Sequence, residues 1–186
     1  MGRKRTIDRN QTMNAIEAVV REHGVAGLSI DAVAREAGIS KSSVVYDFEN
    51  KSALLAAFIG QKMTEKRAKI DTAALDYKDD PDAFLHALLD VFGGCRSDED
   101  MACAMSISAS VASDDRCRAL MNARFAEDMD LVMNQTADPR RARLVWATLH
   151  GLASLEYFGL FTFPETERNQ LLQDIRTLLT SDLPTK

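Results

Sequence analysis

Apolar residues recur at helical spacing along nearly the whole chain, and polar residues fill the positions between them. Between Arg9 and His23, Met13, Ile16, Val19 and Val20 fall on one face of an amphipathic helix that Gly24 ends. A shorter helix opens after Ser29, whose hydroxyl suits a cap because it can accept from the first unpaired backbone N–H groups. It carries Ile30, Val33, Ala34 and Ala37 on one face, with Asp31 in the first turn, where the helix dipole favours an anion. Gly38 supplies the left-handed residue that ends it, and Ser40 caps a third helix from Lys41 to about Asp47. Seven residues do not hold a helix in water, so Ile39, Val44 and Phe48 must lean on the second helix.

Asn50 caps a fourth helix that starts at Lys51 and carries Leu54, Leu55, Phe58, Ile59 and Met63 toward Ala74. Its polar stretch from Lys62 to Lys69 reads as a solvated face. After the charged connection Asp76 to Asp80, Asp80 reads as a cap with Pro81 in the first turn of a helix bearing Phe84, Leu85, Leu88, Leu89 and Phe92; Gly93-Gly94 end it. The segment Met101 to Ser113 is rich in Ala and Ser, and Asp114-Asp115 open a helix with Leu120, Met121, Phe125, Met129, Leu131 and Met133. Asp138-Pro139 start a helix from Arg140 to about Phe161 with an apolar stripe of Leu144, Val145, Leu149, Leu152, Leu155 and Phe158. Pro164 breaks it, and Leu171, Leu172, Ile175, Leu178 and Leu179 mark a last amphipathic helix. Alternation of the strand type is nearly absent, so the chain is expected to be all-α.

The outward face of the third helix, Lys41, Ser42, Ser43 and Tyr46, is small and polar with one cation and one phenol. Such a face suits a DNA major groove, because hydroxyls and amines meet phosphates and base edges while bulky apolar groups would block approach. The run AGISKSSVVYDFENKSALL resembles the helix-turn-helix of the TetR (AcrR-type) transcriptional regulators through Ala37, Gly38, Ser40, Tyr46, Phe48, Lys51 and Leu54, with Ile39 and Val44 as apolar equivalents. It departs at Ser42, where glycine is common, at Val45, often tyrosine, and at Asp47, often histidine. A carboxylate beside phosphates is repulsive, so Asp47 either points away or tunes which operator is tolerated. The resemblance implies an N-terminal three-helix helix-turn-helix head over residues 1–50 and a C-terminal helical ligand-binding and dimerisation domain over residues 51–186. It further implies that the last two long helices pair with those of a second copy, and that an effector in the second domain moves the fourth helix and spoils the spacing of the heads.

Charge supports a local rather than a global attraction for nucleic acid. The net charge is −5, but residues 1–51 hold eight Lys/Arg against seven Asp/Glu and the remainder fifteen against twenty-one. The N-terminal Gly2-Arg3-Lys4-Arg5 forms a basic arm suited to the DNA backbone or minor groove. Cys95, Cys103 and Cys117 are odd in number at spacings that match no zinc pattern, and His23, His86 and His150 are scattered, so no metal or other cofactor is expected. No Ser/His/Asp, paired-carboxylate or phosphate-loop constellation argues for an enzyme. Without a long apolar run or a signal-peptide pattern, the expected location is the cytoplasm and no membrane partner is expected.

The expected partners are therefore a double-stranded DNA operator, a second copy of the chain and a small apolar effector. Tyr46 and Lys51 are the candidates for phosphate contacts, Ser40 and Lys41 for phosphate or base-edge contacts, and Ser42 and Ser43 for base edges. Phe92, Met105, Met121, Phe125, Met129, Trp146 and His150 are the candidates for an apolar, adaptable ligand site. Two rival readings use the same scaffold: a thiol-based redox sensor acting through Cys95, Cys103 or Cys117, and an interaction module that has lost DNA binding, for which Asp47 is the motive.

Overall fold

The structure is a computed structural model that describes residues 9–94 and 98–181, the side chains of 98–100 excepted. The Gly2-Arg3-Lys4-Arg5 arm and Cys95 lie outside the described residues. Among these there are nine α-helices and no strand: α1 (Arg9–Gly27), α2 (Ile30–Ala37), α3 (Lys41–Asp47), α4 (Lys51–Ala74), α5 (Ala83–Gly93), α6 (Asp98–Ser113), α7 (Asp115–Gln135), α8 (Pro139–Tyr157) and α9 (Glu165–Thr180). A single 3-10 turn, Leu75–Tyr77, follows α4. The chain forms two compact units, one comprising the chain up to Met63 with Ala102–Asn122, the other Thr64–Met101 with the chain from Ala123 onward.

In the first unit the expected faces turn inward. Ile16, Val33, Val44, Leu54 and Ile59 are completely buried, and Phe48 is nearly so. Gly24 takes φ 65° and ψ 178°, which kinks α1 before a last turn that delivers fully buried Leu28 to the same core. Cys117, from the start of α7, is also completely buried there. Asp114 caps that helix by accepting from Cys117 N at 3.0 Å, as its place before the periodic stretch predicts.

The second unit closes around Phe84, Leu85, Leu88, Leu89 and Phe92 of α5, Val145, Leu149 and Leu152 of α8, and Ile175 and Leu179 of α9. Guanidinium groups, those of Arg168 and Arg141 among them, fasten these helices. Arg168 donates to Glu156 Oε1 at 3.0 Å and to the carbonyls of Phe92 at 2.7 Å and Gly93 at 3.2 Å, satisfying acceptors that the end of α5 leaves open. Arg141 reaches Asp82 Oδ2 at 3.2 Å and the Ser181 carbonyl at 3.4 Å.

Three local expectations are corrected. Asp80 does not cap α5: its Oδ1 accepts from Asp82 N at 2.7 Å, closing a turn around Pro81, and α5 starts only at Ala83. α8 ends at Tyr157 rather than near Phe161, because Gly159 takes φ 61° and the N–H groups of Gly159 and Leu160 fold back onto the Glu156 and Leu155 carbonyls. The stretch from Lys62 to Lys69 is not simply solvated. Lys62 pairs with Glu17 in the first unit, and in the second Arg67 bonds Asp71 at 2.6 Å and Asp128 at 2.9 Å.

Candidate nucleic-acid interface

The helix-turn-helix is built by its caps. Ser29 Oγ accepts from Ala32 N at 3.1 Å to start α2, and Gly38 ends it at φ 63°, ψ 32°. Gln11 of α1 donates to the Ala37 carbonyl at 2.7 Å, fixing the end of α2 from outside. Ser40 Oγ then accepts from Ser43 N at 3.1 Å to start α3, which ends where Phe48 N returns to the Val44 carbonyl at 2.7 Å. Val44 and Phe48 anchor this short helix to the core, so its opposite side faces solvent.

That side presents Lys41, Ser42, Val45, Tyr46 and Asp47, all exposed; Tyr46 retains 85% of its surface. Lys41 Nζ lies 2.9 Å from Asp31 across the turn, a pair exposed on both sides. Such pairs contribute ~0–1 kcal/mol, so a phosphate can displace the carboxylate at little cost. Ser40 Oγ is engaged three ways, with Ser43 N, with Ser42 Oγ at 2.9 Å and with Ser43 Oγ at 2.7 Å. Its principal role is therefore the cap, while Ser42 is exposed at the edge of this cluster. Lys51, exposed at the start of α4, donates to the Ala26 carbonyl at 3.1 Å, which holds its ammonium beside the end of α1 and leaves two protons for an anion. Asp47 is exposed, and its side chain makes no ion pair among the described residues.

Val45, which is not among the expected contact residues, is exposed beside them. It keeps 43% of its surface on the same face as Lys41, four residues earlier, and Tyr46. The signal was available, because 41, 42, 45 and 46 share one helical face, and an isopropyl group suits a thymine methyl.

The seven ligand candidates divide between the units. Met105 is half-exposed and Met121 packs on the first core. Phe92, Phe125, Trp146 and His150 come together in the second unit: His150 stacks on Trp146 at 4.1 Å, and Phe125 meets both edge-on at 5.8 and 5.2 Å. Phe92 meets His150 at 5.5 Å. Met129 is half-buried on the α7 segment that carries Phe125. His150 Nδ1 lies 2.9 Å from the Trp146 carbonyl; a carbonyl only accepts, so Nδ1 carries the proton. Burial pushes the pKa of His150 down, which keeps the ring neutral and leaves Nε2 as an acceptor. A separate surface groove of about 600 Å³ in the first unit is walled by Gly24, Val25, Ser52, Ser106, Ser110 and Asp114 among others, and none of the seven lines it.

The thiols are unequal. Cys103 is half-buried, whereas Cys117 is completely buried and its pKa is pushed up to about 11 by burial and by the neighbouring Asp114 carboxylate. A thiol so poorly ionised at neutral pH is a weak nucleophile, which argues against Cys117 as a redox sensor. No group of three or more potential metal ligands occurs among the described residues, and none of their helices is long and apolar enough to cross a membrane.

Comparisons with known proteins agree with this geometry. No curated protein matches the chain. Among solved structures, one described as a transcriptional regulator from Streptomyces coelicolor A3(2) superposes with a TM-score of 0.73 at 22% identity, covering 93% of this chain and 98% of that one. A TetR transcription regulator from Haloarcula marismortui gives 0.72 at 19% identity over 92% and 95%. The multidrug binding protein EbrR, solved with imidazole, gives 0.70 at 23% identity over 96% and 97%. At these identities the likeness shows the fold. Family membership follows from the sequence itself: residues 13–58 match the bacterial regulatory proteins of the tetR family, and residues 82–180 match the tetracyclin repressor-like C-terminal domain. With the helix-turn-helix in the first match and α5 to α9 within the second, the chain belongs to the tetR family of bacterial regulatory proteins.

Proposed function

We propose that this regulator is a homodimeric, sequence-specific repressor that a small aromatic or apolar effector releases from its operator. The observation that carries the reading is the exposed face of α3, where Tyr46, Val45, Lys41 and Ser42 stand clear of a helix whose other side is fully buried. An exposed phenol and isopropyl group on so short a helix serve no core, and they match the mixture of phosphate, base-edge and methyl contacts that a major groove offers. Residues 1–50 act in this reading as the DNA-binding part and 51–186 as the effector and dimerisation part.

Dimerisation is supported by the outer face of α8. Leu144, Gly151 and Leu155 recur at i, i+7 and i+11 and are exposed, and Phe158, Leu160 and Phe161 extend this apolar surface beyond the helix end. A Cβ on Gly151 would meet nothing within 4 Å, so the glycine serves no packing inside the chain and suits close approach of a second helix. Two-fold pairing would set the α3 helices ~34–36 Å apart, one turn of DNA. Effector response is supported by the aromatic cluster of the second unit and by the EbrR structures with ethidium and malachite green. An effector releases DNA only if it favours one arrangement of the heads, and α4, which carries residues of both units, is the element we assign to that coupling.

Selection of bound duplexes from a random pool tests the proposal. Enrichment of an inverted repeat, together with a dimer mass by light scattering that falls to a monomer in Leu144→Glu/Leu155→Glu, is the expected result. Enrichment of no sequence, or a monomer that binds a single half-site as tightly as the full repeat, would overturn it.

A further inference from the structure

The helix-turn-helix brings one carboxylate and one ammonium together on its solvent side, and their spacing matches a feature of the DNA major groove. Ser29 starts α2 with Asp31 in the first turn, Gly38 reverses the chain, and Ser40 starts α3 at Lys41. Residues ten apart in sequence thereby meet: Lys41 Nζ lies 2.9 Å from each oxygen of the Asp31 carboxylate. Both side chains are exposed, and Lys41 belongs to the α3 face that carries Ser42, Val45 and Tyr46. An ammonium has three protons and a carboxylate about four lone-pair sites. Their mutual contact therefore leaves a donor and an acceptor side by side, open to solvent and at hydrogen-bond spacing.

A phosphate matches only half of that pair, because it supplies acceptors alone. Binding Lys41 through a phosphate leaves the Asp31 carboxylate beside a second anion, which is repulsive. The major-groove edge of a G·C pair supplies both halves. Guanine O6 accepts, the second proton of cytosine N4 is donated, and the N4–H···O6 bond between the bases sets these atoms about 2.9 Å apart. An ammonium on O6 and a carboxylate on N4 close a ring of four hydrogen bonds while staying in contact with one another. An A·T pair also offers a donor and an acceptor, adenine N6 and thymine O4. Beside O4, however, stands the thymine methyl, whereas guanine sets N7 beside O6 as a second acceptor for the ammonium. We infer that Asp31 is a specificity-determining residue: together with Lys41 it reads one G·C pair in each half-site, the ammonium on guanine and the carboxylate on cytosine N4. The inference rests on the DNA-binding reading above and names what one part of that surface recognises. The same carboxylate penalises backbone binding at Lys41 on every other sequence.

The test runs the duplex selection on full-length wild type, Asp31→Ala and Asp31→Asn, then titrates the enriched repeat and a scrambled duplex by fluorescence anisotropy of the labelled DNA. The wild type should enrich a G·C pair at one symmetric position of each half-site, and exchanging it for A·T should cost roughly tenfold or more in affinity. N4-methylation of that cytosine keeps the Watson–Crick bond and removes the groove-facing proton, so it should cost about as much. In Asp31→Ala both penalties should shrink to about twofold or less, while affinity for the scrambled duplex rises roughly threefold or more at low salt. Asp31→Asn keeps an acceptor without the charge, so it should retain part of the N4-methyl penalty and share the gain on scrambled DNA. Helical content by circular dichroism should match the wild type in both variants. A wild-type G·C preference that survives Asp31→Ala overturns the inference and leaves the DNA-binding reading standing. An N4-methylated duplex bound as tightly as its parent does the same, as does an equal loss on all duplexes in Asp31→Ala, the mark of a structural support. A wild type that enriches no sequence fails the DNA-binding reading itself, and the inference with it.

Discussion

Replacing Gly38 by alanine isolates the backbone requirement of the turn on which the DNA-binding face depends. Gly38 holds φ 63° and ψ 32°, and its N–H is directed at the carbonyls of Ala34 and Arg35. A Cβ built there meets nothing within 4 Å, so alanine adds no clash and the whole cost is conformational. A left-handed L-residue costs ~1–2 kcal/mol. The less flexible unfolded chain returns ~0.4–1 kcal/mol of that, leaving a net loss of about 1 kcal/mol. Gly38→Asn should lose about half as much, because asparagine tolerates this region better. Circular dichroism during urea unfolding is the assay, with the denaturant slope held to the wild-type value; fluorescence is unsuitable because the single tryptophan lies in the second unit. Ser40 still caps α3 in both variants, so operator affinity should fall by less than about tenfold. A neutral Gly38→Ala, a loss above about 3 kcal/mol, or an asparagine variant no better than alanine would refute the reasoning.

Further outcomes follow from the same geometry. Asp47→Asn should tighten duplex binding by roughly threefold or more at low salt, since it removes an exposed carboxylate from the DNA-facing helix; unchanged affinity would mean that the side chain points away from phosphate. Cys117 should resist iodoacetamide at neutral pH in the folded protein and react only on unfolding. Its folded pKa of about 11 lies above the ordinary 9.0, so the folded state binds the proton more tightly and the thiol's contribution to stability is lost as pH rises from 9 toward 11. His150 shifts the other way: burial lowers its pKa below 6.5, the unfolded chain binds the proton more tightly, and stability falls as pH drops through that value. Unfolding curves at pH 7 and pH 5 should show a smaller difference in His150→Gln than in the wild type.

How much of this was legible in the sequence depends on the range of the interaction. Caps and turn glycines act within four residues, so Ser29, Gly38, Ser40 and Asn50 could be assigned from their neighbours, and each performs the expected job. Asp80-Pro81 shows the limit of that logic, because a carboxylate before proline can close a turn as readily as it caps a helix. The apolar stripe of α8 was visible, but not its division: Val145, Leu149 and Leu152 face the core while Leu144, Leu155 and Phe158 face outward, and periodicity alone cannot tell a core from a surface awaiting a partner. The polar stretch of α4 looked solvated because its partners, Glu17 and Asp128, are distant in sequence. For the same reason Lys51 on the Ala26 carbonyl and Lys66 on Phe92 could not be foreseen. Phe92, Phe125, Trp146 and His150 were singled out for residue type; that they touch while Met105 lies in the other unit is a product of the tertiary fold.

The central claim, that α3 reads a specific DNA site with its exposed face, is tested most directly by salt-dependent affinity on the selected duplex and on a scrambled one. The wild type, Tyr46→Ala, Val45→Ala and Lys41→Ala would be titrated at two salt concentrations. The account predicts that Lys41→Ala lowers the salt slope by about one and that Val45→Ala cuts the ratio of specific to scrambled affinity by roughly tenfold. Tyr46→Ala should weaken the specific complex without changing helical content. Equal affinities for the two duplexes in the wild type, or variants that all match it, would contradict the assignment of α3 as the reading surface.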